Sequence, residues 1–195
     1  MSSPDFRTVL SSVISALEGL KIPYFLGGSV ASSAMGLPRA TLDIDIVADI
    51  PAVAAPRLAV AFGGAYYVDQ DQIAAAIERR SSFNIIHSGT AHKVDIFILK
   101  DRDYDREALS RRRQVLLFEG ECALRCYLAS PEDIILSKLE WYKNGGGVSE
   151  RQWLDVHGVM KVQGGRLDKA YLKKWALTLG ISELLDSALL EAGIA

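Results

Sequence analysis

Three aspartates on two apolar segments are the residues whose spacing points most directly to chemistry. The first two lie in Thr41-Leu42-Asp43-Ile44-Asp45-Ile46, a strictly alternating segment that predicts a β-strand over residues 41–48. On a strand, Asp43 and Asp45 leave the same face, opposite to Leu42 and Ile44. Two carboxylates about 5 Å apart repel each other by roughly 3 kcal/mol at an effective dielectric constant near 20. A divalent cation reverses this repulsion, because hard cations prefer carboxylate oxygens.

The third aspartate lies on a later apolar segment. Asp95 is part of Lys93-Val94-Asp95-Ile96-Phe97-Ile98, whose alternation predicts a second strand with Asp95 pointing away from the core. If the two strands are neighbours in one sheet, Asp43, Asp45 and Asp95 can hold two metal ions that clamp an in-line phosphoryl displacement. The alternative is a solvated acidic strand face without a ligand. We therefore predict a Mg²⁺ or Mn²⁺ site at these three residues.

A glycine turn precedes the aspartates. Gly27-Gly28-Ser29 follows the apolar segment 23–26 and precedes a short helical segment. Glycines allow backbone amides to approach a phosphate, the start of a helix carries partial positive charge, and Ser29 adds a hydroxyl donor. Such a turn alone is weak evidence, since most Gly-Gly-Ser turns only reverse the chain.

The order of these three segments resembles that of the polymerase-beta-like nucleotidyltransferase superfamily. The resemblance rests on Gly27-Gly28-Ser29, then Arg39-Ala40-Thr41-Leu42-Asp43-Ile44-Asp45, then Val94-Asp95-Ile96-Phe97. It implies that Asp43 and Asp45 ligate both metals and that Asp95 ligates the metal activating the attacking hydroxyl. It also implies that Gly27, Gly28 and Ser29 hold the terminal phosphates of a nucleoside triphosphate (NTP). Arg39 is then a phosphate or substrate contact, or alternatively a solvated loop arginine.

A narrower resemblance covers the C-terminal part of the chain. Ser130-Pro131-Glu132-Asp133-Ile134-Ile135-Leu136-Ser137-Lys138-Leu139 and Arg151-Gln152-Trp153-Leu154-Asp155-Val156 are similar to motifs of abortive-infection-type nucleotidyltransferases. By this resemblance Lys138 reaches towards a phosphate, and the alternative is that it snorkels to the surface. Asp155 would orient or deprotonate an acceptor, and its alternative is a surface pair with Arg151, four residues earlier.

The elements that must position these residues indicate an α/β (α+β) protein. Strands and helices alternate to about residue 126, and all later segments have helical signals, beginning with the cap and first-turn proline Ser130-Pro131. We expect a nucleotidyltransferase core over residues 1–126, with a mixed sheet flanked by helices. We expect a helical C-terminal region over residues 127–195 that packs on this core.

The composition is that of an ordinary globular protein. Of the 195 residues, 49% are hydrophobic and 24% are charged, with a net charge of -2. This charge provides no general attraction to nucleic acid. The sequence contains neither a segment typical of a membrane span nor the layout of a signal peptide, so we expect a cytoplasmic protein.

The expected activity is transfer of a nucleoside monophosphate from an NTP such as ATP to an acceptor hydroxyl or phosphate, with release of pyrophosphate. Asp95 would also accept the proton of the acceptor, and Lys138, Ser29 and Arg39 would stabilise the pyrophosphate. Two alternatives remain: a non-catalytic member that binds nucleotide or a partner, and a toxin–antitoxin component that acts on tRNA or protein. The acceptor (a small molecule, tRNA or protein), the base of the NTP and the oligomeric state are left open.

Overall fold

The chain forms two compact units in a computed structural model that describes residues 4–118, 120 and 123–194. Unit 1 consists of Met1–Gly27 and Ala40–Leu128, and unit 2 consists of Gly28–Arg39 and Ala129–Ala195. The chain therefore passes from one unit to the other after Gly27, after Arg39 and after Leu128. Two of these passages flank the segment that begins with the glycine turn and ends just before the aspartates.

Unit 1 is built on a mixed sheet. Its strands among the described residues are β1 (Tyr24–Leu26), β2 (Ile44–Ala48), β3 (Tyr66–Tyr67), β4 (Ser82–His87), β5 (Lys93–Ile98), β6 (Arg113–Leu117) and β7 (Leu124–Leu128), in the spatial order β3-β4-β5-β2-β1-β7-β6. β2 pairs with β5, and β1 with β7, in parallel, whereas the other neighbours are antiparallel. The expected α/β class with a mixed sheet is confirmed.

β2 and β5, which carry Asp45 and Asp95, each bury one face in the core. Fully or almost fully buried residues alternate on both strands: Ile44, Ile46 and Ala48 on β2, and Val94, Ile96 and Ile98 on β5. The prediction of a strand over residues 41–48 is wrong at its start, because β2 begins at Ile44 and Leu42 is 70% exposed. β5 begins only at Lys93, so the backbone around Leu42 has no continuing neighbour strand on which to pair.

The helices are numbered along the chain. Unit 1 contains α1 (Pro4–Gly19), α3 (Ala55–Phe62), α4 (Gln70–Arg79) and α5 (Asp103–Ser110), and unit 2 contains α2 (Gly28–Met35), α6 (Pro131–Asn144), α7 (Glu150–Gln163), α8 (Lys169–Leu179) and α9 (Ser182–Glu191). The apolar repeat of α1 is buried at every position from Phe6 to Leu17 that has helical spacing. In the described part of the chain, no helix combines the length and the apolar character needed to cross a bilayer.

The start of α6 is held by a buried polar network. The Ser130 hydroxyl caps the helix by accepting from the Asp133 amide at 3.1 Å, as the sequence predicts. The Asp133 carboxylate in turn accepts from the Ser130 hydroxyl at 2.5 Å and from the Tyr171 hydroxyl at 2.7 Å. Because Tyr171 lies on α8, this network joins two helices of unit 2 and fixes the N-terminus of α6.

Two glycines allow α2 to lie directly against α7. A methyl group on Gly36 would lie 2.6 Å from the Val159 amide nitrogen and 2.7 Å from the Gly158 carbonyl carbon. The Gln163 side chain also donates to the Met35 carbonyl at 2.7 Å. The short segment Gly28–Arg39 is therefore fixed to the long helix α7 by backbone contact.

We predict that Gly36→Ala destabilises the protein by about 1–3 kcal/mol, because the added methyl group must push two backbones apart. Gly165→Ala is the control in the same unit, since nothing lies within 4 Å of the position of its methyl group. The readout is the urea unfolding midpoint of the full chain. Equal midpoints for the two variants would contradict the close approach of α2 and α7.

Candidate functional site

The register between β2 and β5 places two of the predicted aspartates side by side. The parallel pairing sets Ile44 opposite Val94 and Asp45 opposite Asp95. Register partners on neighbouring strands leave the same face of the sheet about 4.8 Å apart. The sequence interpretation required these two strands to be neighbours, and they are.

Lys93 completes a block of four charged residues on this face. Lys93 lies on the same strand face as Asp95, and Asp43, one residue before β2, is close enough for its charge to act on Lys93. The Lys93 Nζ lies 2.7 Å from the Asp95 Oδ2. This hydrogen bond raises the pKa of Lys93 against the opposing effect of burial, and the charges of Asp95, Asp43 and Asp45 raise it further. The ammonium therefore lies within electrostatic reach of all three carboxylates, and the block carries a net charge of -2.

The donor chemistry of this block fits a hard divalent cation, because three carboxylates supply oxygen ligands and the net charge is negative. Within residues 4–118, 120 and 123–194, no three His, Cys, Asp or Glu side chains already converge at the spacing of a metal site. The cation in contact with Asp95 is the Lys93 ammonium. The assignment of Asp43, Asp45 and Asp95 as metal ligands therefore stays a prediction.

Two polar neighbours of Asp95 were missed at the sequence level. Lys93 lies two residues before Asp95 and shares its strand face, and Asn84 is the register partner of Asp95 on β4. The signal for Lys93 is visible, since the alternation that turns Asp95 outward also turns Lys93 outward. The position of Asn84 depends on which residues pair across the β4–β5 hairpin.

The glycine turn ends β1 and begins α2. In unit 1 the Gly27 amide donates to the Asp45 carbonyl at 2.9 Å, which ties the end of β1 to β2 at the aspartate. In unit 2 Gly28 begins α2 with a φ of +52°, a conformation that is costly for residues with a side chain. The first amides of α2 have no partners within the helix, so they are donors suited to an anion.

Arg39, Lys138 and Asp155 form an ionic trio in unit 2, in which Lys138 and Asp155 are buried and the Arg39 side chain is 28% exposed. The Arg39 guanidinium donates to both carboxylate oxygens of Asp155, from Nε at 2.8 Å and from Nη2 at 3.0 Å. The Lys138 Nζ donates to the Asp155 Oδ2 at 2.7 Å. Arg39 Nη2 also donates to the Ser29 hydroxyl. The surface pair between Asp155 and Arg151 is not formed, because Asp155 is buried against these two other cations.

The trio keeps Asp155 ionised. Burial by itself raises the pKa of Asp155, but the hydrogen bonds from Arg39 and Lys138 and the charges of these two residues outweigh burial, and the pKa falls below its usual value. A carboxylate with a lowered pKa and both oxygens engaged is a poor general base. The trio as a whole carries a net charge of +1, which favours an anionic ligand at Arg39 and Lys138.

The predicted site residues are thus distributed over the two units. Unit 1 holds Gly27, Asp43, Asp45 and Asp95, and unit 2 holds Gly28, Ser29, Arg39, Lys138 and Asp155. The structure joins Asp45 to Asp95 by register and Ser29, Arg39, Lys138 and Asp155 by hydrogen bonds.

Three solved structures share this fold, and two of them have nucleotidyltransferase in their names. The antibiotic-resistance factor ANT(2'')-Ia is 15% identical, with a TM-score of 0.57 over 95% of this chain and 99% of that chain. An antigenic nucleotidyltransferase-like protein from Paracoccidioides brasiliensis is 20% identical, with a TM-score of 0.53 over 97% and 94%. A putative nucleotidyltransferase from Thermotoga maritima is 19% identical, with a TM-score of 0.50 over 80% and 96%.

These matches confirm the nucleotidyltransferase fold that the sequence predicts, and at such identities they show the fold alone. No protein-family model matches the chain, and no curated protein matches it. Membership in the abortive-infection group stays a prediction.

We predict that Asp155→Asn costs about 3–5 kcal/mol of folding free energy, because it leaves two cations close together with little solvent. Lys138→Met should cost less, about 1–2 kcal/mol, since Asp155 keeps its two bonds from Arg39. The double variant should cost less than the sum of both. Urea unfolding of the four proteins measures this cycle, and additive effects with a small cost for Asp155→Asn would contradict the trio.

The contribution of Asp155 to the free energy of unfolding should decrease at acidic pH. Because its folded pKa lies below the unfolded value of 3.8, its contribution is complete above that value and is lost as the pH falls through the folded pKa. The stability difference between wild type and Asp155→Asn should stay constant from about pH 7 to about pH 5 and shrink below about pH 4. Denaturant unfolding across this range measures it, and a difference that has vanished by about pH 5 would rule out a lowered pKa.

Proposed function

We propose that the chain is a metal-dependent nucleotidyltransferase, which moves a nucleoside monophosphate from an NTP to an acceptor hydroxyl or phosphate and releases pyrophosphate. The observation that carries this proposal is the β2–β5 register, which sets Asp45 beside Asp95 with Asp43 two residues ahead on the first segment. The fold shared with nucleotidyltransferase structures supports it.

Asp43, Asp45 and Asp95 are the proposed ligands of Mg²⁺ or Mn²⁺. The metal, when bound, would supply Lewis-acid chemistry at the α-phosphate and lower the pKa of the attacking hydroxyl. Asp45 and Asp95 are register partners, so the sheet sets their spacing, and Asp43 lies one residue before β2. Asp95 is also the proposed acceptor for the proton of the incoming hydroxyl.

The phosphate-binding groups we propose lie in unit 2. Ser29 and the first amides of α2 are hydrogen-bond donors, and Arg39 and Lys138 add positive charge for the departing pyrophosphate. Asp155 is better described as a positioning residue than as a catalytic base. Its carboxylate fixes the Arg39 guanidinium by two bonds and the Lys138 ammonium by a third, so both cations are held in place before a ligand arrives.

The acceptor belongs to one of three classes: a small molecule, a tRNA or a protein. ANT(2'')-Ia is named as an antibiotic-resistance factor, which makes small molecules a natural first class to test. The net charge of -2 disfavours an acceptor that needs many phosphate contacts. A toxin–antitoxin role corresponds to a tRNA or protein acceptor in the same reaction.

The test is a transfer assay with each α-labelled NTP, Mg²⁺ or Mn²⁺, and pooled metabolites, RNA or proteins. We expect label to move from one NTP to one pool in a metal-dependent way, with pyrophosphate as co-product. Calorimetric binding of an NTP without transfer to any pool would instead support the non-catalytic alternative. Neither binding nor transfer would contradict both.

We predict that Asp43→Asn, Asp45→Asn and Asp95→Asn each lower the transfer rate by at least about 100-fold, because each removes a charged oxygen ligand. Asp49→Asn is the matched control, since Asp49 lies just past β2 and pairs with Arg80 at 3.7 Å. Its rate should stay within about twofold of wild type. If label moves equally well with Asp43→Asn, the assignment of the carboxylates is wrong.

A further inference from the structure

Lys93 is a charged residue of the carboxylate block that the proposed reaction does not use. It is the first residue of β5, and its ammonium is bound to Asp95 at 2.7 Å. Asp43 and Asp45 also lie within electrostatic reach of this ammonium. The ammonium therefore lies where three carboxylates would otherwise repel one another.

The strands on either side of β5 place no positive charge beside Asp95. β2 contributes the carboxylate of Asp45, whereas β4 places two uncharged side chains, Ile86 and Asn84, next to Lys93 and Asp95 respectively. The register partners of Asp95 on β2 and β4 are Asp45 and Asn84, which carry no positive charge, so its positive neighbour is Lys93 on β5 itself. A metal ion that binds to Asp95 must therefore bind the same carboxylate as Lys93.

The Lys93–Asp95 pair is easily exchanged. The Lys93 side chain is 49% exposed and that of Asp95 is 22% exposed, and ion pairs with such access to water contribute little to folding. A divalent cation carries twice the charge of an ammonium and prefers carboxylate oxygens. Fold stability therefore does not explain the lysine well, and displacement by a metal ion costs little.

We propose that Lys93 competes with the divalent cation for Asp95, so that the cation completes its carboxylate ligand set only by displacing the Lys93 ammonium. This inference rests on the proposed function, because it takes the three aspartates as the metal ligands. Lys93 then raises the concentration of divalent cation that is needed to occupy the three carboxylates.

The experiment is a titration of the full chain with Mn²⁺, in which free Mn²⁺ is followed by electron paramagnetic resonance without any nucleotide. Lys93→Met should lower the dissociation constant by about three- to tenfold, because the competing charge is gone. Lys93→Arg, which keeps the charge, should stay within about twofold of wild type. Lys100→Met removes the same charge beyond the other end of β5 and should also stay within about twofold.

The outcomes separate this inference from the proposed function. If Asp43→Asn abolishes Mn²⁺ binding but Lys93→Met binds as wild type does, the metal site stands and the competition is refuted. If neither wild type nor Lys93→Met binds Mn²⁺, both proposals fail. Equal tightening by Lys100→Met would show an effect of net charge and refute the competition. Circular dichroism checks that each variant is folded, and Lys93→Gln repeats the test with a polar side chain.

Discussion

The parallel pairing of β2 with β5 is the constraint on which the proposed chemistry depends. Ile44, Ile46, Val94 and Ile96 are fully buried, so a shift of the register by one residue would turn them outward. The same shift would drive aspartates into the core, where an unpaired carboxylate costs several kcal/mol. The sheet therefore holds Asp45 beside Asp95 despite their mutual repulsion, because burial of the apolar faces contributes more than the repulsion costs.

The carboxylate block of unit 1 and the ionic trio of unit 2 differ in exposure, in net charge and in how firmly their side chains are held. The carboxylate block of unit 1 is half-exposed, carries net negative charge and includes a lysine that water can reach, so its cation is exchangeable. The trio of Arg39, Lys138 and Asp155 is mostly buried, carries net positive charge and is fixed by three hydrogen bonds. An exchangeable acidic cluster suits a metal ion, and a fixed basic cluster suits a phosphate that must be held in one orientation.

Alternation along single strands made much of the carboxylate block predictable. It correctly assigns the outward faces of β2 and β5, and the order of motifs correctly indicates the nucleotidyltransferase fold. The error at Leu42 arose because a sequence pattern does not show where the neighbouring strand ends. The same alternation turns Lys93 outward beside Asp95, but it does not show that the two side chains form an ion pair.

The trio in unit 2 was beyond the reach of sequence patterns. Arg39 and Asp155 are separated by 116 positions, and no periodicity relates them. The grouping of Gly28–Arg39 with the C-terminal helices has a similar origin, because it depends on contact between Gly36 and α7. Such contacts are set by shape complementarity between distant segments, which a single sequence does not reveal.

The most direct test of the central claim, that the β2–β5 face binds a divalent cation, is the paramagnetic broadening of backbone amide resonances by substoichiometric Mn²⁺. Broadening should begin at residues 43–46 and 93–96, and the resonances of β6 and β7 should remain sharp. Selective broadening at the exposed Asp101 and Asp103, with β2 and β5 unaffected, would contradict the account.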